Sequence, residues 1–413
     1  MLPLLLGRIV WRGWRDPEQR ARWHERFGWY RDGAPAPHPV WVHAVSVGEA
    51  MAAVPLVRAL REHRPGLRIV VTTTTTTGAD TVRRMLGDSV THAYFAYDLP
   101  PFVRAFLQRF RPHLLVVLET ELWPNTFAAC RAAGVAVLLA NARLSARSLR
   151  GYQLLAPLAR DIVADIDCIA AQGDTDAARF RALGARRAQL CVTGSLKFDL
   201  VPPPSLREQA EVMRRTFGVN RPVLMFGSTR DGEEVLLLEA VRQLAREFAS
   251  LLVILAPRHP ERFDEVAALC VEQGLEVARY SHDDDCTPAT AIYLVDVMGE
   301  LPRFYAAADV AFVGGSLLPY GGQNVLEPAA LGTPVLSGPH THNFAEICAL
   351  LRDAGALVVV EDVDALVAGA GHWLRDSNER DRVGRIAEGV VRTHRGATAR
   401  TLELIESRLP APG

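Results

Sequence analysis

Short, almost wholly apolar runs recur along this chain, each followed by a polar turn and a stretch of helical periodicity. Leu114–Leu118 (LLVVL) constrains the fold most, because five apolar residues in succession cannot lie on a sheet with one wet face. Both faces of that strand must be covered. Residues 40–45, 68–73, 136–140 and 168–171 read the same way, and so do 222–226, 251–256, 292–295 and 310–313 in the second half. Strands alternating with helices build doubly wound α/β domains, and 413 residues with 49% hydrophobic content supply cores for two of them. Residues 202–204, three prolines, read as the stiff linker between them.

A net charge of -1 gives no electrostatic case for nucleic acid. Six cysteines without CxxC spacing fit reduced thiols better than disulfides or zinc, and Asp283 to Asp285 read as a solvated loop rather than a metal site. The first 31 residues differ from the rest. Arginines at 8, 12, 15, 20, 22, 26 and 31 alternate with Trp11, Trp14, Trp23 and Trp29 behind an apolar run, residues 2–6. That run falls short of the roughly 20 residues a membrane span needs, but arginine with tryptophan suits an anionic headgroup layer. A helix capping the first domain is the alternative.

The polar residues gather after the strands, where open α/β sheets bind ligands. In HAVSVGE, Gly48 opens a helix and Glu49 lies in its first turn, as a reactive carboxylate or as one that offsets the helix dipole. LETELWPN places Glu119 and Glu121 directly after Leu118. Continued strand alternation points both to one side, and crowded carboxylates titrate abnormally, as a general base requires. The threonine run 72–77 reads as a strand end followed by an N-cap. In the second half, GSTRDGEE (227–234), PRHPERF (257–263) and MGELPRFY (298–305) follow successive strands. Residues 314–339 then read as strand end, glycine-rich loop, short helix and another strand. Gly314, Gly315, Gly321 and Gly322 let backbone approach a ligand, a helix starting near Asn324 favours an anion, and Glu327 in its first turn suits ribose hydroxyls. An ordinary capped βα connection fits the same spacing.

Taken in register, RARWHERFG, HAVSVGE, AYDLP, ETELWPN, NARLSARS, GSLKFD, PRHPER, MGEL and the FVGGSL to LSGPHTHNF block resemble the 3-deoxy-D-manno-oct-2-ulosonic acid (Kdo) transferases of Gram-negative lipopolysaccharide synthesis. The resemblance covers nearly the whole chain. It implies an α/β architecture of the GT-B glycosyltransferase fold, two Rossmann-like domains facing across a cleft. The expected division is an arm over 1–31, an acceptor-binding domain over 32–200, a linker over 201–205, a CMP-Kdo-binding domain over 206–395, and a C-terminal helix and tail over 396–413 packing back on the first domain. It also implies transfer of Kdo from CMP-Kdo to a lipid A precursor at the cytoplasmic face of the inner membrane, with inversion and no cofactor or metal.

Residue roles follow the motifs. Glu49 matches the family's proton acceptor, and Glu119 and Lys197 match residues credited with transition-state stabilisation. Pro257 and Arg258, then Met298, Gly299 and Glu300, then Asn324, Val325, Leu326 and Glu327 match the CMP-contacting segments. A CMP donor carries a single phosphate, so Lys197, Arg258 and a helix N-terminus suffice to stabilise the leaving group without a metal. The chain departs from the family at Arg230, where histidine is common, and at Gln323, Asn324 and Val325, where His-Asn-Pro is common. The family's long apolar anchor is also reduced here to residues 2–6, so either the start codon is misplaced or attachment is peripheral rather than by a span. A UDP-sugar transferase or UDP-GlcNAc 2-epimerase of the same fold is the rival enzyme, and a nucleotide-binding regulator the rival of another class.

Overall fold

The computed structural model describes residues 22–30, 39–199, 201–203 and 205–410. Residues 1–21, with most of the expected arm, and Pro204 of the expected linker lie outside them. The described residues form two compact units, one within 1–199 together with 394–410, the other within 201–393.

The first unit holds seven parallel strands: β1 (Val40–His43), β2 (Ile69–Thr73), β3 (Thr91–Tyr94), β4 (Leu114–Leu118), β5 (Ala136–Ala142), β6 (Cys168–Ala171) and β7 (Leu190–Val192). They lie in the order β3-β2-β1-β4-β5-β6-β7. The apolar runs explain themselves here. Along β4, Leu114, Val116 and Leu118 enter one core with Val40 and Val42, while Leu115 and Val117 enter the other with Trp41. Helices cover both faces, so a strand needs no polar side. The chain winds outward one way from β1 and the other way from β4, which makes the gap between their carboxyl ends the topological switch point, the usual place for a ligand in such sheets.

The second unit repeats the plan with β8 (Val223–Thr229), β9 (Leu252–Pro257), β10 (Val277–Arg279), β11 (Ile292–Leu294), β12 (Val310–Val313), β13 (Val335–Ser337) and β14 (Leu357–Val359). The order is β10-β11-β9-β8-β12-β13-β14, all parallel, with the switch point between β8 and β12.

Two connections run against simple chain order. The C-terminal helix Ala397–Glu406 belongs to the first unit because Asp199 caps it, accepting from the N–H of Gly396 at 2.6 Å and from that of Thr398. Residues 22–30, expected within the arm, dock on the first sheet instead. Glu25 accepts from the Tyr94 N–H at 2.7 Å, Arg26 donates to the Thr74 carbonyl at 2.6 Å, and Tyr30 stacks edge-on against Phe106 and Phe110.

Candidate functional site

In the first unit, the threonines after β2 prepare the site. Thr72 Oγ1 bonds Trp41 Nε1 at 2.7 Å and His43 Nδ1 at 2.9 Å, Thr75 caps the next helix, and Thr74 donates to the Val45 carbonyl at 2.9 Å. They hold the loop after β1 rather than line a ligand. Ser46 then caps the helix Val47–His63, and Glu49 folds back so that its carboxylate accepts from the Val45 N–H at 2.6 Å and the Ser46 hydroxyl at 3.1 Å.

Glu49 is only 8% exposed. Burial lifts its pKa from the ordinary 4.5 to about 7, against the Val45 N–H, and the charges of Glu121 and Glu119 push the same way as burial. Glu121 is also raised, first by burial and then by Glu119. The three carboxylates therefore form one electrostatic cluster at the switch point, with Glu49 poised to exchange a proton near neutral pH.

The alternation expected of Glu119 and Glu121 does not hold, because β4 stops at Leu118. Glu119 takes a left-handed backbone conformation (φ 60°), rare for a residue with a side chain, while its N–H still bonds the Ala140 carbonyl at 2.9 Å. That turn sets its carboxylate 3.1 Å from Lys197 Nζ. Downstream, the Asp98 carboxylate of AYDLP accepts from the N–H groups of Asn125 and Thr126, capping the helix that leaves ETELWPN.

Lys197 rides on the short turn Leu196–Phe198, and a residue not singled out in the sequence fixes that turn. Asn141, fully buried and also left-handed (φ 53°), accepts from the Leu196 N–H at 3.0 Å through Oδ1, while its carbonyl accepts from Gln172 Nε2 at 2.9 Å. The signal lay in NARLSARS, where an asparagine interrupts an apolar strand that runs two residues past its expected end.

In the second unit a buried carboxylate holds the start of the glycine-rich loop. Glu233, wholly buried, accepts from the N–H groups of Gly315 at 2.6 Å, Ser316 at 2.8 Å, Leu317 at 2.9 Å and Arg230 at 3.0 Å. This side chain fills the backbone nest at Gly315, Ser316 and Leu317, apart from the helix start near Asn324 where an anion was expected, and so ties β8 to β12 across their switch point. Gly314 is required by close approach, since a Cβ there would meet Thr229 Cα at 2.7 Å. The helix that follows, Leu326–Ala330, has only five residues, and Asn324 Oδ1 already caps the Leu326 N–H at 3.1 Å.

The expected donor residues all stand at the carboxyl edge of the second sheet. Pro257 ends β9, and the Arg258 N–H bonds the Thr229 carbonyl at 3.0 Å. Glu327 is held by Asn324 Nδ2 at 3.1 Å; burial raises its pKa while the Asn324 bond and the Arg258 charge lower it, which puts Arg258 and Glu327 in one field. Val325 and Leu326 are buried supports. Met298 is 45% exposed, Gly299 turns left-handed (φ 92°), and Glu300 pairs with Arg303 at 3.1 Å. Arg230 lies 4.6 Å over the Tyr320 ring and 2.7 Å from His259 Nε2. Burial and then Arg230 lower the pKa of His259, so the imidazole stays neutral and accepts from the guanidinium.

Among the described residues no group of histidines, cysteines and carboxylates has the arrangement of a metal site, and no helix is long and apolar enough to cross a membrane. Two parallel seven-stranded units, with residues 288–390 matching the glycosyl transferases group 1 family, define a glycosyltransferase of the GT-B fold. The fold likeness extends to UDP-GlcNAc 2-epimerase from Neisseria meningitidis, with a TM-score of 0.62 at 14% identity over 89% of this chain and 100% of that one. Residues 21–200 match the family described as 3-deoxy-D-manno-octulosonic-acid transferase (kdotransferase). The chain is 38% identical to the 3-deoxy-D-manno-octulosonic acid transferase of Haemophilus influenzae over 98% of this chain and 96% of that protein. It is 41% identical to that of Bordetella pertussis over 93% and 91%. The chain belongs to the 3-deoxy-D-manno-octulosonic-acid transferase family.

Proposed function

We infer that this chain moves Kdo from CMP-Kdo to a sugar hydroxyl of a lipid A precursor, with inversion and without a metal, in lipopolysaccharide core biosynthesis at the cytoplasmic face of the inner membrane. The observation that carries this reading is Glu49, a buried carboxylate at a switch point whose pKa is about 7 and whose neighbours include the Glu119–Lys197 pair. Glu49 takes the proton of the acceptor hydroxyl while that oxygen bonds to the anomeric carbon of Kdo. The bond from that carbon to the CMP phosphate oxygen breaks, and CMP leaves with the electron pair. Lys197, fixed by Glu119 and by the Asn141-held turn, supplies positive charge to the transition state.

In the second unit, Arg258 supplies charge to the phosphate and Glu327 accepts from the ribose hydroxyls, with the segments 257–258, 298–300 and 324–327 contacting CMP. The filled nest at Glu233 and the five-residue helix shift the electrostatic work from backbone N–H groups to Arg258. One phosphate needs no bridging ion of the kind a pyrophosphate uses. Calorimetry with CMP and UDP tests the donor assignment: CMP binds and UDP does not compete. Equal binding of UDP, or of UDP-GlcNAc, would favour a UDP-sugar enzyme of the same fold.

A further inference from the structure

Arg230 is the first residue past β8, and its half-buried side chain is held on three sides. Its stem lies over the glycine-rich loop, where a Cβ on Gly315 would meet Arg230 Cγ at 3.4 Å. The Tyr320 ring covers the guanidinium at 4.6 Å, and neutral His259 accepts from Nη1 through Nε2 at 2.7 Å. The group therefore stands at the β8–β12 switch point with its direction fixed. Among the described residues only the bond to His259 engages its five N–H donors. The acidic residues that follow it in the chain are spent elsewhere. Arg262 takes Asp231 at 3.4 Å and Glu234 at 2.8 Å, while Glu233 fills the backbone nest. Arg258 is close by. Its N–H bonds the Thr229 carbonyl, and after burial both Arg230 and Arg258 push the pKa of His259 down. Two like charges placed so near each other favour a ligand with two anionic groups.

We propose that Arg230 binds the carboxylate of the donor sugar, beside the phosphate bound by Arg258, and so selects an acidic sugar over a neutral one. This assignment rests on the function proposed above. In an oct-2-ulosonic acid the carboxylate is bonded to the anomeric carbon, which also carries the CMP phosphate, so a single carbon separates the donor's two anionic groups. Adjacent loops must then supply adjacent cations, as the loops after β8 and β9 do with Arg230 and Arg258. A guanidinium meets a carboxylate through two parallel N–H···O bonds, and the donors left by His259 allow that pairing. A neutral sugar on the same nucleotide offers nothing to this fork.

The test compares the full wild-type chain with Arg230→Gln and Arg230→Lys, measuring the affinity of each for CMP-Kdo and for CMP, with thermal melts on the same preparations. Arg230→Gln should weaken CMP-Kdo binding roughly ten- to hundredfold and leave CMP binding unchanged. Lysine keeps the charge and loses the fork, so Arg230→Lys should fall between and decides the matter if the glutamine variant does not fold. The KM for CMP-Kdo should rise in the same order. An equal loss for both ligands would put Arg230 on the phosphate and overturn the assignment, and so would CMP-Kdo bound by the variants as tightly as by wild type. If the wild-type chain binds CMP-Kdo no better than UDP-GlcNAc, the proposed function fails and this assignment with it. The two results on the variants sink the carboxylate anchor alone.

Discussion

Glu49→Gln separates a catalytic carboxylate from a structural one because the two roles predict opposite effects on stability. The rise from 4.5 to about 7, at about 1.4 kcal/mol per pH unit, means that ionised Glu49 costs the fold about 3 kcal/mol. The folded chain holds this proton more tightly than the unfolded chain does. The stabilisation is complete below pH 4.5 and is lost as pH rises through about 7. Glutamine keeps the shape, still offers an acceptor to Val45 or Ser46, and carries no charge. At pH 8 the variant should therefore melt higher than wild type, by up to roughly 6–12 °C for a unit of this size, and at pH 4.5 the difference should vanish. Its transfer rate should fall by ~10²- to 10⁴-fold, and the rise of the wild-type rate through pH 7 should disappear with it. Thermal melts and single-preparation kinetics at both pH values read this out. A variant less stable at pH 8 by about 0.3 to 1 kcal/mol, with transfer intact, would show that Glu49 merely offsets the helix dipole.

Asn141→Ala leaves the buried Leu196 N–H without its acceptor and puts alanine at a left-handed position. A loss of roughly 2–4 kcal/mol of stability and a fall in turnover with unchanged CMP affinity are expected; turnover at the wild-type rate would mean that Lys197 needs no such support. Glu233→Ala strips four N–H groups, three of them buried, of their shared acceptor and should cost roughly 3 kcal/mol or more, with weaker CMP binding following from a loosened β8–β12 junction. Denaturation and calorimetry on one preparation check both effects. Arg258→Ala and Glu327→Ala should each weaken CMP binding by roughly 1.5 to 3 kcal/mol while the protein stays folded, and unchanged affinity in both would remove the donor assignment.

The central strands were legible because they are buried on both faces and therefore read as unbroken apolar runs. β3, β7, β10 and β14 gave no such signal, and they are the four sheet edges. An edge strand is short and partly wet, as in Thr91 of β3 and Val358 of β14, so its pattern dissolves into the flanking loops. The candidate site could be read as positions in the sequence, but its environments could not. HAVSVGE shows that Glu49 starts a helix, but its burial depends on threonines some 25 residues away in the sequence, tied to the Val45 carbonyl. Glu119 broke the alternation because a left-handed turn at one residue overrides the strand period. Glu233 was hidden in GSTRDGEE as one of two adjacent glutamates, and nothing local indicates that it fills the nest made by a loop more than 80 residues later.

The central claim is that this chain forms a glycosidic bond between Kdo and a lipid A precursor, with Glu49 removing the acceptor's proton. Incubating the full chain with CMP-Kdo and a tetraacylated precursor, beside the Glu49→Gln variant, and weighing the lipid by mass spectrometry tests it most directly. The account predicts lipid heavier by whole Kdo residues with CMP released in step, and at most a trace with the variant. Lipid of unchanged mass, or a variant that adds Kdo as fast as wild type, would contradict it.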